Sequence, residues 1–199
     1  MIDCHYSRDC LPIVAASQAS VEIFQRAAIF TSLTIRQMFV TIPLQMADVE
    51  LNGVESRFLF GPKRDAWRYI AANRESLWHA ARSCHAGQID LDSLVLEFLA
   101  IPGLGIVKAS FLAQLTTGQG ACIDSHNLRE LGLDDTAFRL SKKLTVPTIR
   151  KRIQAYNAVW RCRGDSAYWW DLWCDGVASR RPAWFATGRE CSASHRVIL

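Results

Sequence analysis

Directly after the apolar pair Cys122-Ile123, the chain places four polar residues in a row, Asp124-Ser125-His126-Asn127. A carboxylate at that boundary can be partly desolvated and still be held by backbone N–H groups, which is the setting a general base needs. The same position suits a plain helix N-cap, so Asp124 reads as either base or cap. His126 and Asn127 can position a polar ligand; His126 reads more readily as a structural hydrogen bonder, and Asn127 can equally face water. One apolar helix upstream stands Pro102-Gly103-Leu104-Gly105, followed by Lys108. Glycines allow a tight, partly left-handed turn and let backbone N–H groups approach an anion. The helix that follows presents its free N–H groups and positive dipole end to the same anion. Gly103, Leu104 and Gly105 are therefore candidates for gripping a phosphate of a nucleic-acid backbone without reading its sequence. An ordinary turn between two helices is the simpler alternative.

Elements that position these residues follow from helical periodicity. From Val21, the apolar set Phe24, Ala28, Ile35, Met38 and Phe39 predicts a helix that Pro43 stops, with residues 46–60 as a connector ending in Phe58-Leu59-Phe60. A helix restarts at Gly61-Pro62, with Trp67, Ile70, Ala71, Leu77, Trp78 and Ala81 on one face and Arg68, Glu75 and Arg82 opposite. Gly87 ends it. Asp90 or Asp92 caps a helix over 94–99, the glycine turn breaks it, and 106–115 is helical again until Thr116-Thr117-Gly118. A short helix starts at Asp124. Residues 147–160 form a basic helix with Arg150, Lys151 and Arg152. Residues 166–177 form an aromatic one with Tyr168, Trp169, Trp170 and Trp173. No strand pair is evident, so the fold class is all-α. Residues 1–185 read as one helical unit with its hairpin at 94–115 and its aspartate motif at 121–127. Residues 186–199 lack periodicity, as a disordered tail would.

Composition narrows the setting. The chain has 199 residues, is 50% hydrophobic and carries a net charge of +4. That length and apolar content suffice for one domain or two small lobes sharing a core. The mild positive excess permits nucleic-acid binding without requiring it. Seven cysteines form an odd, irregular set with no Cys-x-x-Cys pair. This argues against a secreted disulfide framework and against a zinc ribbon, and makes several of them core packing. Asp3, His5, Arg8 and Asp9 interrupt any leader-like apolar run at the start. Residues 29–44 are too short and too polar to span a bilayer. The expectation is a cytoplasmic monomer that needs no metal, no cofactor and no membrane.

Ile101 to Gly105, the small residue Ala109, and Ile123 to His126 together resemble the helix-hairpin-helix superfamily of DNA glycosylases, in which a Leu-Pro-Gly-Val-Gly turn is followed by Val-Asp-Thr-His. The resemblance covers 98–127 directly. It implies a bundle of two helical lobes, and it implies that Asp124 sits beside a base flipped from the duplex. Two departures matter. Members that also cleave the backbone carry a nucleophilic lysine two residues after the second turn glycine; here that residue is Val107. Lys108 follows it, turned about 100° around the helix, which argues against Schiff-base chemistry. The four-cysteine iron–sulfur pattern of many members is absent as well.

The stretch Gly103 to Leu115, with Ala121 to Asn127 and the late Ser166 to Cys174, is similar to a bacteriophage branch of that fold, the amino acid:DNA transferases of thymidine hypermodification. This similarity implies double-stranded DNA bearing phosphorylated 5-hydroxymethyluracil and a free amino acid, of glycine or serine type, as substrates. It implies Asp124 as base, Lys108 as the cation beside the leaving phosphate, and His126, Asn127, Trp169 and Trp173 around the base and amino acid. Any single tryptophan can instead be core. Lys142, Lys143, Arg150, Lys151 and Arg152 are candidates for attracting the DNA backbone. A monofunctional glycosylase that uses Asp124 to activate water, and a non-catalytic DNA-binding module that uses the turn alone, are the alternative readings.

Overall fold

The computed structural model describes residues 5–37, 41–124, 127–128, 132–141 and 143–179. They form helices α1 (Tyr6–Asp9), α2 (Leu11–Ala19), α3 (Val21–Leu33), α4 (Ile42–Asn52), α5 (Pro62–His85), α6 (Leu91–Phe98), α7 (Ile106–Thr117), α8 (Val146–Arg163) and α9 (Ser166–Ser179), with short 3-10 turns at Gly53–Glu55 and Asp135–Phe138. No strand occurs among the described residues, so the protein is all-α.

Local chemistry explains where the helices start. Ser20 caps α3 by accepting from the Ile23 N–H at 3.3 Å, and Glu22 sits in its first turn, where the helix dipole favours a carboxylate. Phe24, Ala27, Ala28 and Thr31 then bury one side of α3. Asp90, not Asp92, caps α6, accepting from the Ser93 N–H at 2.7 Å. That hydrogen bond holds the Asp90 carboxyl below its ordinary range. α5 buries Ala66, Ile70, Leu77, Ala81 and Cys84, and leaves Arg68, Glu75 and Arg82 exposed, as the periodicity requires.

Two expectations are corrected. α3 ends at Leu33, ahead of Arg36, whose φ of 52° no helix continues. Pro43 does not stop a helix; it lies in the first turn of α4, where the missing N–H costs nothing and the fixed φ favours the helix. Ile42, Gln45, Met46 and Val49 of α4 are buried, so much of the expected connector is a packed helix. Met38 and Phe39 lie outside the described residues. The helices α1 and α2, absent from the periodicity reading, also pack on the core.

α7 is the axis of the molecule. Ile106 and every residue from Ala109 to Thr117 are buried, and α2, α3, α5 and α6 all pack against it. Most of its buried polar groups are matched among the described residues, the Gln114 side-chain oxygen being the exception. Thr116 and Thr117 donate to the carbonyls of Leu112 and Ala113 at 2.7 and 2.8 Å. The Gln114 amide donates to the Ser166 carbonyl at 2.8 Å. Cys10, Cys84 and Cys122 are free, buried thiols, and burial pushes them up to about 12, 11 and 11. Cys162 is free and exposed. Among the described residues, no helix is long and apolar enough to cross a membrane.

Candidate functional site

The glycine turn joins α6 to α7. Its apolar members anchor it: Ile101 and Leu104 are buried, and the Leu104 N–H donates to the Ile101 carbonyl at 3.2 Å. Gly103 has φ 83°, a left-handed conformation that favours glycine. A side chain on Gly103 would start 3.3 Å from Pro62 Cβ, so the turn rests on the first residue of α5. Gly105 is the N-cap of α7, and no side chain caps the helix there. A Cβ on Gly105 would meet nothing within 4 Å. The first-turn N–H groups of α7 therefore sit behind a glycine with open space in front of it.

Lys108 lies in that first turn, half-buried, with Nζ 5.2 Å from the centre of the Phe111 ring. Val107 is partly buried against the core and supplies no nucleophile.

Downstream of α7, the left-handed Gly118 turns the chain back along the helix. Gly120, at φ 102°, approaches α7 so closely that a Cβ would lie 2.7 Å from the Ser110 carbonyl oxygen. The Ala121 N–H donates to the Ser110 hydroxyl at 3.1 Å. Ala121, Cys122 and Ile123 are buried, and Asp124, the next residue, is half-buried. Its carboxylate accepts from the Asn127 N–H at 3.0 Å and its carbonyl from the Leu128 N–H at 2.9 Å. Asp124 thus makes the side-chain hydrogen bond expected of an N-cap, and the rest of the short helix expected from Asp124 lies largely outside the described residues.

The buried Cys122 thiol feels both the Lys108 and the Asp124 charge. Burial raises that thiol to about 11, the Lys108 charge opposes the rise, and the Asp124 charge adds to it. Asn127 is buried, and its side-chain amide donates to the Cys122 carbonyl at 3.4 Å. That orientation stabilises the motif from inside and does not extend toward solvent. Ser125, His126 and Lys142 lie outside the described residues, and so does the Trp173 side chain.

Trp169 is 0% exposed, and its indole N–H donates to the Trp160 carbonyl at 2.8 Å. It packs the core and offers no face to a base. Periodicity could not separate this from a stacking role, because both place an aromatic on an apolar face. The aromatic that sequence reasoning passed over is Phe60, 61% exposed and two residues before the Pro62 that supports Gly103. Its signal was faint: an aromatic beside Gly61-Pro62 and Lys63.

The basic candidates divide. Lys143 and Lys151 are exposed. Arg150 and Arg152 are half-buried and engaged within the protein, Arg150 with the Ser93 hydroxyl at 3.4 Å and Arg152 with the Arg139 carbonyl. Among the described residues, no group of histidines, cysteines and carboxylates is arranged to hold a metal ion. Compared with known proteins, the chain matches no family model, no curated protein and no solved structure.

Proposed function

We propose that this protein is a DNA base-modifying transferase of the helix-hairpin-helix glycosylase-like fold, which attaches an amino acid to phosphorylated 5-hydroxymethyluracil in duplex DNA. The observation that carries this reading is the uncapped N-terminus of α7 with open space before Gly105, with Lys108 in its first turn and the half-buried Asp124 closing the loop that is bonded back to the same helix at Ser110. An anion grip, a cation and a carboxylate then serve one bound nucleotide. Val107 in place of a lysine supports chemistry in which the enzyme forms no covalent bond of its own.

In the proposed step the amine nitrogen of glycine or serine attacks the base methylene carbon. A C–N bond forms as the C–O bond to the phosphate breaks, and the phosphate leaves with the electron pair. Asp124 accepts the proton that the amine must lose. Lys108 offsets the charge gathering on the departing phosphate. The base has to leave the stack to be reached. Phe60, exposed beside the turn, takes the stacking role that Trp169 cannot.

Incubation of phosphorylated 5-hydroxymethyluracil DNA with the protein and an amino-acid mixture tests the reading by nucleoside mass spectrometry. A mass gain with the glycosidic bond intact supports it. Abasic sites in its place identify a glycosylase that activates water. Binding without either product leaves a DNA-binding module.

Two variants probe the grip and the cation. Gly105→Val has room for its side chain and a backbone, φ −100° and ψ 178°, that valine accepts. The fold is expected to persist while duplex affinity drops about tenfold or more, with a shallower salt dependence. Unchanged affinity in the folded variant removes the turn from the interface. Lys108→Met is expected to slow single-turnover conversion more than it weakens DNA binding, with Lys108→Arg retaining activity. Trapping of a DNA adduct by borohydride contradicts this role and restores a Schiff base.

A further inference from the structure

Asp124 closes a loop whose backbone is held from α8 by one buried side chain. The Tyr156 hydroxyl donates to the Ala121 carbonyl at 2.7 Å and accepts from the Ile123 N–H at 2.9 Å. It straddles Cys122 and fixes the residue immediately before Asp124. The ring is fully buried, edge-on to Phe138 with centroids 5.2 Å apart. Burial pushes the phenol well above its ordinary value, so it stays a neutral donor; the Ser110 hydroxyl stands close enough to oppose that rise. Ser110 itself, on α7, accepts from the Ala121 N–H. Both the carbonyl and the N–H of Ala121 are thus bonded to side chains, one from α8 and one from α7.

A phenol with two backbone partners on a loop is more than core packing needs, since phenylalanine would fill the same space. The pairing has a geometric effect. α7 begins at the glycine turn and carries Lys108; α8 carries the basic residues. Fastening 121–123 to both helices sets the Asp124 carboxylate at a constant position relative to the turn. A general base works only within hydrogen-bond reach of its proton, and a misplacement of about 1 Å can cost about 10²-fold.

We infer that Tyr156, assisted by Ser110, is the positioning residue of Asp124, locking the base in register with the helix that grips the DNA; this rests on the reading of Asp124 as general base. Tyr156 touches no substrate and acts through the loop.

The test uses the full chain. Tyr156→Phe keeps the ring against Phe138 and removes the two hydrogen bonds. Hydrogen exchange of the Asn127 amide, which donates to the Asp124 carboxylate, is expected to quicken about tenfold or more. The Ala109 amide, bonded to Gly105 within α7, serves as the internal reference and should stay protected. On duplex DNA carrying phosphorylated 5-hydroxymethyluracil, with glycine and serine supplied, single-turnover conversion should fall about 10–100-fold. In an Asp124→Asn background the same change should cost less than about twofold, because the group being positioned has gone. Ser110→Ala, a gentler change, should move both readouts the same way and keeps the test open if Tyr156→Phe fails to fold. Unaltered Asn127 exchange in a folded variant overturns the tether. Equal rate losses in both backgrounds overturn the positioning role and leave general destabilisation. A fully active Asp124→Asn instead sinks the general-base reading, and the exchange result still decides whether Tyr156 holds the loop.

Discussion

Asp124→Asn is expected to lower the single-turnover rate by about 10²–10⁴-fold, the usual worth of a positioned general base, while leaving stability nearly unchanged. The structure explains why the two effects separate. The Asn127 N–H finds its acceptor in one Asp124 carboxyl oxygen at 3.0 Å, and an asparagine side chain offers an oxygen in the same place. The cap survives and the proton acceptor does not. Asp124→Ala removes both, and should add a stability loss of about 0.5–2 kcal/mol. If Asp124 is only a cap, the pattern inverts: the asparagine variant keeps its activity and only alanine does harm. Saturating protein keeps weakened binding from imitating slow chemistry. Full single-turnover activity of Asp124→Asn would falsify both enzyme readings and favour a binding module.

Gly120→Ala should cost about 2–4 kcal/mol of stability, which makes it one of the most damaging single-methyl additions available. Two penalties coincide there. At φ 102° an L side chain is strained, and its Cβ would lie 2.7 Å from the Ser110 carbonyl oxygen, a backbone atom that cannot swing aside. Relief requires the loop to move off α7, which breaks the Ala121–Ser110 hydrogen bond and withdraws Asp124 from its place. Activity should therefore fall even below the denaturation midpoint. Gly105→Ala is the matched control, with open space and an extended backbone. Denaturant titration of the two variants decides the matter: a Gly120→Ala loss within about 0.5 kcal/mol, the range of ordinary surface changes, contradicts the close approach.

Much of this site was legible without coordinates, for an identifiable reason. The Asp90 and Asp124 caps, the glycine turn and the ends of α5 and α7 all depend on residues within four positions of one another, so their cause is local and leaves a local mark. Pro43 misled because proline is tolerated in a first turn and excluded from later ones; the sequence alone does not say which side of it the helix lies. Trp169 was ambiguous because burial and stacking demand the same residue type. Tyr156 was invisible. Its two hydrogen bonds reach back to Ala121 and Ile123, and nothing in the neighbourhood of residue 156 records a partner that far away. The same holds for α1 and α2, whose docking depends on distant carbonyls such as Thr116, which accepts from Gln18.

The loop that ends in Asp124 is also held from both extremities of the described chain. Tyr6 donates through its hydroxyl to the Gly118 carbonyl at 3.1 Å and through its N–H to Asp171 at 3.3 Å, while Ser166 donates to the Gly120 carbonyl at 2.8 Å. During synthesis the ribosome releases Tyr6 long before Ser166 and Asp171. The glycine turn and α7 can form in the tunnel's shadow, but the set of outer fastenings is complete only when α9 emerges. The nascent chain therefore has its glycine turn well before the loop that carries Asp124 is fully fastened, and a fusion partner that displaces either α1 or α9 disturbs the same few residues from opposite directions.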